Sequence, residues 1–139
     1  MEGASVPALP WTTGSYNPTG DRELHVLTST LPLIRYRDVP RFLRWTVRIR
    51  KQLATADGCA GYSLDARLLR KTFYTLSAWQ DRDAMNRFVH SGRHAAMLAD
   101  MAGRLGQSTF VESSTAADGL PLDWAAAKQR LTDAHQPPR

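Results

Sequence analysis

The chain has 139 residues, 42% hydrophobic and 22% charged, with a formal net charge of +5 and a single cysteine. That is one domain of ordinary globular composition, and no apolar run approaches the ~20 residues a membrane-spanning helix needs. One cysteine excludes an internal disulfide and fits a reducing, cytoplasmic setting.

The N-terminus, Met1-Glu2-Gly3-Ala4-Ser5-Val6-Pro7, lacks the basic and apolar regions of a secretion signal. Residues 1–22 are rich in Pro, Gly, Ser and Thr, which predicts an arm with little regular structure. Trp11 and Tyr16 are unusual in a disordered tail, so the arm is expected to lie on the body or on a second subunit. The run Leu24 to Leu31 alternates as a first strand. Asp38 then stands as a helix N-cap, with Pro40 in the first turn where a missing N–H costs little. Val39, Phe42, Leu43, Thr46, Ile49 and Leu53 share one helical face, and Arg41, Arg44, Arg48 and Lys51 lie opposite. Arg50 breaks this pattern. At about 100° per residue it falls among the apolar positions, near Val39 and Leu43. The basic residues show no interleaved aromatics and no nucleic-acid motif, so they read as a solvated face and no nucleic-acid partner is expected.

Asp57-Gly58 marks the turn into a second strand, Cys59 to Leu69. Its alternation puts Ala60, Tyr62, Leu64, Ala66 and Leu68 on one face and Gly61, Ser63, Asp65 and Arg67 on the other. Leu69-Arg70-Lys71 connects it to a third strand, Thr72 to Trp79, which is apolar or aromatic on both faces and reads as buried on both sides. Asp81 is an N-cap for a helix whose stripe is Met85, Phe88 and Val89. Ser91-Gly92 interrupts, and a further helix carries His94, Met97, Leu98, Met101 and Leu105. Gln107 to Ser113 is a fourth strand. Residues 23–115 form the domain, and residues 116–139 form a linker and a last helix.

Strand, helix, strand, strand, helix pair, strand is the β-α-β-β-α-β order of a ferredoxin-like α+β sandwich with an antiparallel sheet, here with an extra C-terminal helix. Helices cover one face of such a sheet. The second face needs a cover, and the simplest is another copy, so a face-to-face homodimer is expected.

Phe73-Tyr74-Thr75-Leu76-Ser77-Ala78-Trp79-Gln80-Asp81, then Ala84-Met85, Phe88-Val89, Ser91-Gly92 and His94, resembles the strand-to-helix signature of the dimeric α+β barrel superfamily. Within it, the likeness is to antibiotic-biosynthesis-monooxygenase-like proteins. It spans roughly residues 24–113 and is more specific for fold than for function. The resemblance implies a pocket between sheet and helices lined by a Trp, a Tyr and polar partners. Trp79 matches the strand-end Trp, and Tyr74 or Tyr62 could supply the phenol. Core packing is the competing explanation for each aromatic. Phe88 would complete the apolar wall.

His94 matches a His found near this point in several relatives. A neutral imidazole there could serve as a general base on a phenol or quinol, and a structural, hydrogen-bonded His is the alternative. His90 and His94 have chelating spacing, but Ser91-Gly92 interrupts the helix and nothing completes a shell, so no metal is expected. The haem-degrading relatives imply an Asn in the first strand, where this chain has none. Haem is therefore disfavoured, with a non-standard site through His94 or His25 left open. Arg50 either snorkels to water or meets an acidic partner or a substrate oxygen. His25 could face the same pocket.

The resemblance thus implies a monooxygenase-like enzyme acting on a hydrophobic aromatic or polyene molecule. No nucleotide or flavin motif is present, so oxygenation would proceed without such a cofactor. Cyclisation or isomerisation in the same pocket remains open. The alternative is a non-catalytic dimer that binds a small molecule, lipid or haem.

Overall fold

A computed structural model describes residues 10–135. The elements run β1 (Thr12–Thr13), β2 (Glu23–Pro32), α1 (Val39–Ala54), β3 (Cys59–Arg67), β4 (Thr72–Trp79), α2 (Arg82–Val89), α3 (Gly92–Met101), β5 (Thr109–Ala116) and α4 (Trp124–His135). The strands form one sheet in the order β1-β3-β4-β2-β5, and every pairing is antiparallel. Strands β3-β4-β2-β5 interleave as the ferredoxin-like order requires, because each helical crossover skips one strand. The two-residue β1 adds a short edge on β3. None of the described helices is long and apolar enough to cross a membrane.

The pleat of β4 divides the interior. Phe73, Thr75, Ser77 and Trp79 point towards α1–α3, and Tyr74, Leu76 and Ala78 point the other way. On the first face, Phe42 of α1 meets Phe73 edge-on at 4.7 Å between ring centroids. Helices α1 and α3 are stitched by Asp100, whose carboxylate accepts from Arg41 at 2.8 Å and from the Trp45 indole at 2.7 Å. Those two hydrogen bonds, Trp45's first, hold the Asp100 carboxyl below the usual range. Asp38 does precede α1, but its side chain does not cap the helix; it accepts instead from Arg104 at 3.1 Å.

The second face was expected to await another copy of the chain. It is covered by the chain's own α4 and N-terminal segment. Leu24, Val26, Ala60, Leu76 and Ala78 pack there with Ala127 of α4, and Trp11, Tyr16 and Trp124 lie against them. Each large side chain so buried contributes about 1.5–3 kcal/mol. Polar contacts fix α4 in place. The Trp124 indole donates to Ser63 Oγ at 3.1 Å, and Lys128 Nζ lies 2.5 Å from Asp65 Oδ2. Gly61 is required by this arrangement, because a Cβ there would stand 2.4 Å from the Trp11 ring.

Two further sequence expectations are corrected. Strand β3 does not alternate strictly. Cys59 pairs with Trp79 and Gly61 with Ala78, so Ala60 is the extra residue of a bulge. The bulge sends Ala60 to the α4 face, whereas Tyr62 packs with Trp79 on the other. Strand β5 runs to Ala116 and not to Ser113, because Ser113 and Thr115 continue the ladder opposite Val26 and Leu24.

Candidate functional site

Between the sheet and α1–α3 lies a cavity of about 400 Å³, within the range of small-molecule sites. Its floor is Leu27, Ser29, Leu31, Tyr62, Thr75 and Trp79; α1 contributes Phe42, Thr46, Ile49, Arg50 and Leu53; α2 and α3 add Met85, Asn86, Phe88, His94, Met97 and Leu98. Phe110 and Glu112 of the edge strand β5 form one rim. Phe110 is 60% exposed and Leu98 43%, so the opening lies between β5 and α3.

His94 is the third residue of α3, and its position is set by three contacts. Asp81 caps α2 by accepting from the Ala84 amide at 2.8 Å. Helix α2 then ends at Val89, and Gly92 at φ +50 turns the chain into α3. The first turn of α3 is capped from another element: Gln52 Oε1 of α1 accepts the His94 amide at 3.1 Å. The His94 Nδ1 lies 3.1 Å from the Val89 carbonyl. A carbonyl can only accept, so Nδ1 carries the proton of the neutral ring and Nε2 is left with its lone pair. Burial pushes the His94 pKa below its ordinary 6.5; the Val89 contact opposes this shift, and neighbouring His90 reinforces it. The ring also meets Phe88 edge-on, with centroids 5.2 Å apart. The geometry yields a neutral imidazole with a basic nitrogen at an apolar cavity.

Trp79 is 1% exposed and donates its indole N–H to Ser77 Oγ at 2.9 Å. Its ring lies 5.2 Å from that of Phe88. It is both core anchor and cavity wall. Arg50, half-buried, lines the cavity as its only cation among the described residues.

Two expected site residues stand elsewhere. Tyr74 is opposite Thr30 and Asp65 on the α4 face, with Lys128 Nζ 4.7 Å from its ring centroid, so it cannot reach a ligand in this cavity. Period-2 alternation from Trp79 places it there. His25 faces the helix side but lies outside the lining; its Nε2 is 2.7 Å from Glu112 Oε1. Glu112 also pairs with Arg82 at 3.1 Å. His90 and His94 each hold Nδ1 against a backbone carbonyl, and no group of three metal-ligating side chains is assembled among the described residues. Sequence reading missed Asn86, Phe110 and Gln52. Glu112 and Phe110 alternate onto one face, but only the β2–β5 register shows which face that is. Nothing local marks Gln52 as a cap for a helix some 40 residues away.

The fold and cavity define a ferredoxin-like α+β sandwich with a ligand-sized site between sheet and helices. Comparison with solved structures agrees. The chain is similar to an antibiotic biosynthesis monooxygenase (15% identity over 65% of this chain and 95% of that one, TM-score 0.56). It is also similar to a candidate antibiotic biosynthesis monooxygenase from Caulobacter crescentus (16% identity, 67% and 90% coverage, TM-score 0.58). A candidate monooxygenase from Fusobacterium nucleatum aligns at 10% identity and TM-score 0.62 over 76% of this chain, which spans 50% of that longer one. At such identities the likeness speaks for the fold alone. No family model matches the chain, and no curated protein matches it.

Proposed function

We propose that the cavity binds a hydrophobic aromatic molecule carrying an acidic hydroxyl, and that the chain is a monooxygenase-like enzyme acting on it without a nucleotide or flavin. The observation that supports this most is the His94 arrangement. Its Nδ1–H is directed to Val89, its charged form is disfavoured, and Nε2 is left to accept a proton.

In this reading Nε2 takes the hydroxyl proton. The resulting phenolate is electron-rich enough to reduce oxygen itself. One oxygen atom bonds to a ring carbon, the ring C–H and the former O–H are lost, and the second oxygen leaves as water after receiving protons, one of them from His94. The balance is phenol plus O₂ giving quinone plus water. Trp79, Phe88 and Met97 keep the site dry, which strengthens every charge interaction within it. Tyr62 and Asn86 are among the neutral polar groups available to orient the ring. One chain supplies all of these residues, so the chemistry does not depend on the homodimer expected from sequence.

The test is turnover of 1-naphthol under ¹⁸O₂. The expected product is a naphthoquinone carrying one ¹⁸O, the other appearing in water. His94→Gln is expected to lower the rate about 100-fold, because an amide can hold a hydrogen bond but cannot take the proton. Saturable binding without turnover across a panel of naphthols and hydroquinones would instead favour a non-catalytic carrier.

A further inference from the structure

Among the described residues, five cations each have a carboxylate. Arg41 is paired with Asp100, Arg67 and Lys128 with Asp65, Arg82 with Glu112, and Arg104 with Asp38. Arg50 is half-buried in the cavity wall, and no carboxylate of the described residues lies within ion-pair distance of it. Among the described residues the only acid in the lining, Glu112, is already engaged by His25 and Arg82. Arg50 therefore brings a guanidinium with no carboxylate partner to a cavity wall that it shares with Ile49, Leu53 and Phe42. A guanidinium on an apolar helical face either reaches water or meets an acidic group, and at this wall that group is left for a ligand to supply.

We infer that the ligand of this cavity carries a carboxylate, which Arg50 binds, in addition to the acidic hydroxyl presented to His94. The inference rests on the reading that the cavity takes an aromatic molecule, and it narrows the substrate class to hydroxylated aromatic acids. A carboxylate matches the planar two-pronged donor of a guanidinium. A phosphate would call for more donors than the site offers: Arg50 is the only cation, and the first-turn amide of α3 at His94 is already taken by Gln52. Arg50 and His94 come from different helices, so a molecule held by both bridges α1 and α3. Arg50 would then set orientation, turning the acidic hydroxyl towards Nε2.

The experiment is a fluorescence titration of the full chain with 2-naphthoate and 2-naphthol near pH 7. The ligands have the same ring system and differ in charge. The variants are Arg50→Met, which keeps the apolar stem, and Arg44→Gln, which removes an exposed charge from the outer face of the same helix. Wild type is expected to bind naphthoate about tenfold more tightly than naphthol, the usual scale of a charge-assisted hydrogen bond. Arg50→Met is expected to abolish the preference, and Arg44→Gln to keep it. Thermal melting checks each variant, and Arg50→Gln replaces Arg50→Met if the latter does not fold. Equal affinities in wild type, with naphthol still bound, would overturn the inference and leave the hydroxyl-aromatic reading standing. So would an unchanged preference in the Arg50 variants, or an equal loss in Arg44→Gln, which would reduce the effect to diffuse positive charge. Failure of both ligands to bind would remove the inference and the underlying reading together.

Discussion

The two faces of one sheet have been finished in different ways. On the α4 face, Leu24, Val26, Leu76 and Ala78 are at most 1% exposed, and the charged and indole groups pair with one another, Asp65 with Arg67 and Lys128 and Trp124 with Ser63, while the buried Thr28 hydroxyl is left without a partner among the described residues. On the α1–α3 face the same strands support a cavity, a half-buried histidine with a basic nitrogen, and an arginine with no carboxylate. Strand β4 supplies both faces from alternate residues, so composition does not separate them. The difference lies in what covers each face. Helix α4, with small residues such as Ala127, and the N-terminal segment with Trp11 and Tyr16 pack directly over one face. Helices α2 and α3, broken at Gly92 and tied to α1 through its Gln52 and through Asp100 of α3, span theirs and leave space beneath. Unmatched polar groups around that space are where function is to be sought.

The comparison can be broken from either side. The largest expected effect is Trp79→Ala, since Trp79 joins the cavity wall to the core. It should cost about 3–5 kcal/mol in urea unfolding, as large aromatic truncations do. A cost below about 1 kcal/mol would make Trp79 a wall alone. Next is Asp65→Asn, which removes the carboxylate that Lys128 and Arg67 share. About 1–3 kcal/mol should be lost, and hydrogen exchange should quicken in α4 while α1–α3 stay protected. Uniform quickening would mean that the two faces are not separable.

The third effect is a pH dependence. The folded pKa of His94 lies below its unfolded value, so the unfolded chain takes up the proton first as pH falls. Stability attached to His94 is therefore fully present above the unfolded value near 6.5 and declines below it, levelling off once the folded group also titrates. His94→Gln should flatten this part of the stability–pH curve, and an unchanged curve would remove burial as the cause. The smallest expected effect is Arg50→Met. With no internal partner to lose, it should shift stability by no more than about 0.5 kcal/mol in the same unfolding assay. A large loss would reveal a structural role for Arg50.

Much of this was legible in the sequence. The two-sided apolar run of β4, the Asp81 cap and the break at Ser91-Gly92 rest on local chemistry, and local chemistry is what a sequence displays. Arg50 was visible as a misfit on its helical wheel, and His94 as a polar residue on an apolar stripe. What depended on pairing across the chain was not legible. The bulge at Ala60 needed the β3–β4 register. The direction of Tyr74 followed from alternation once Trp79 was fixed, but an aromatic run hides which face is the site. The cover on the second face was hidden too: Trp124, Lys128 and Leu131 give a short helix with a weak stripe, and only its docking against Asp65 and Ser63 shows that the chain lays its own helix there.

The central claim is that the cavity presents a neutral His94 whose Nε2 is the basic atom. Nitrogen-correlated NMR of protein labelled at histidine, with His94→Gln to assign the signals, tests it most directly. The claim predicts the Nδ1–H tautomer near pH 7, titration below that of a solvent-exposed histidine, and a shift of the Nε2 resonance when 1-naphthol is added. A His94 that is protonated at Nε2 near pH 7, or whose Nε2 is unmoved by saturating naphthol, would contradict it.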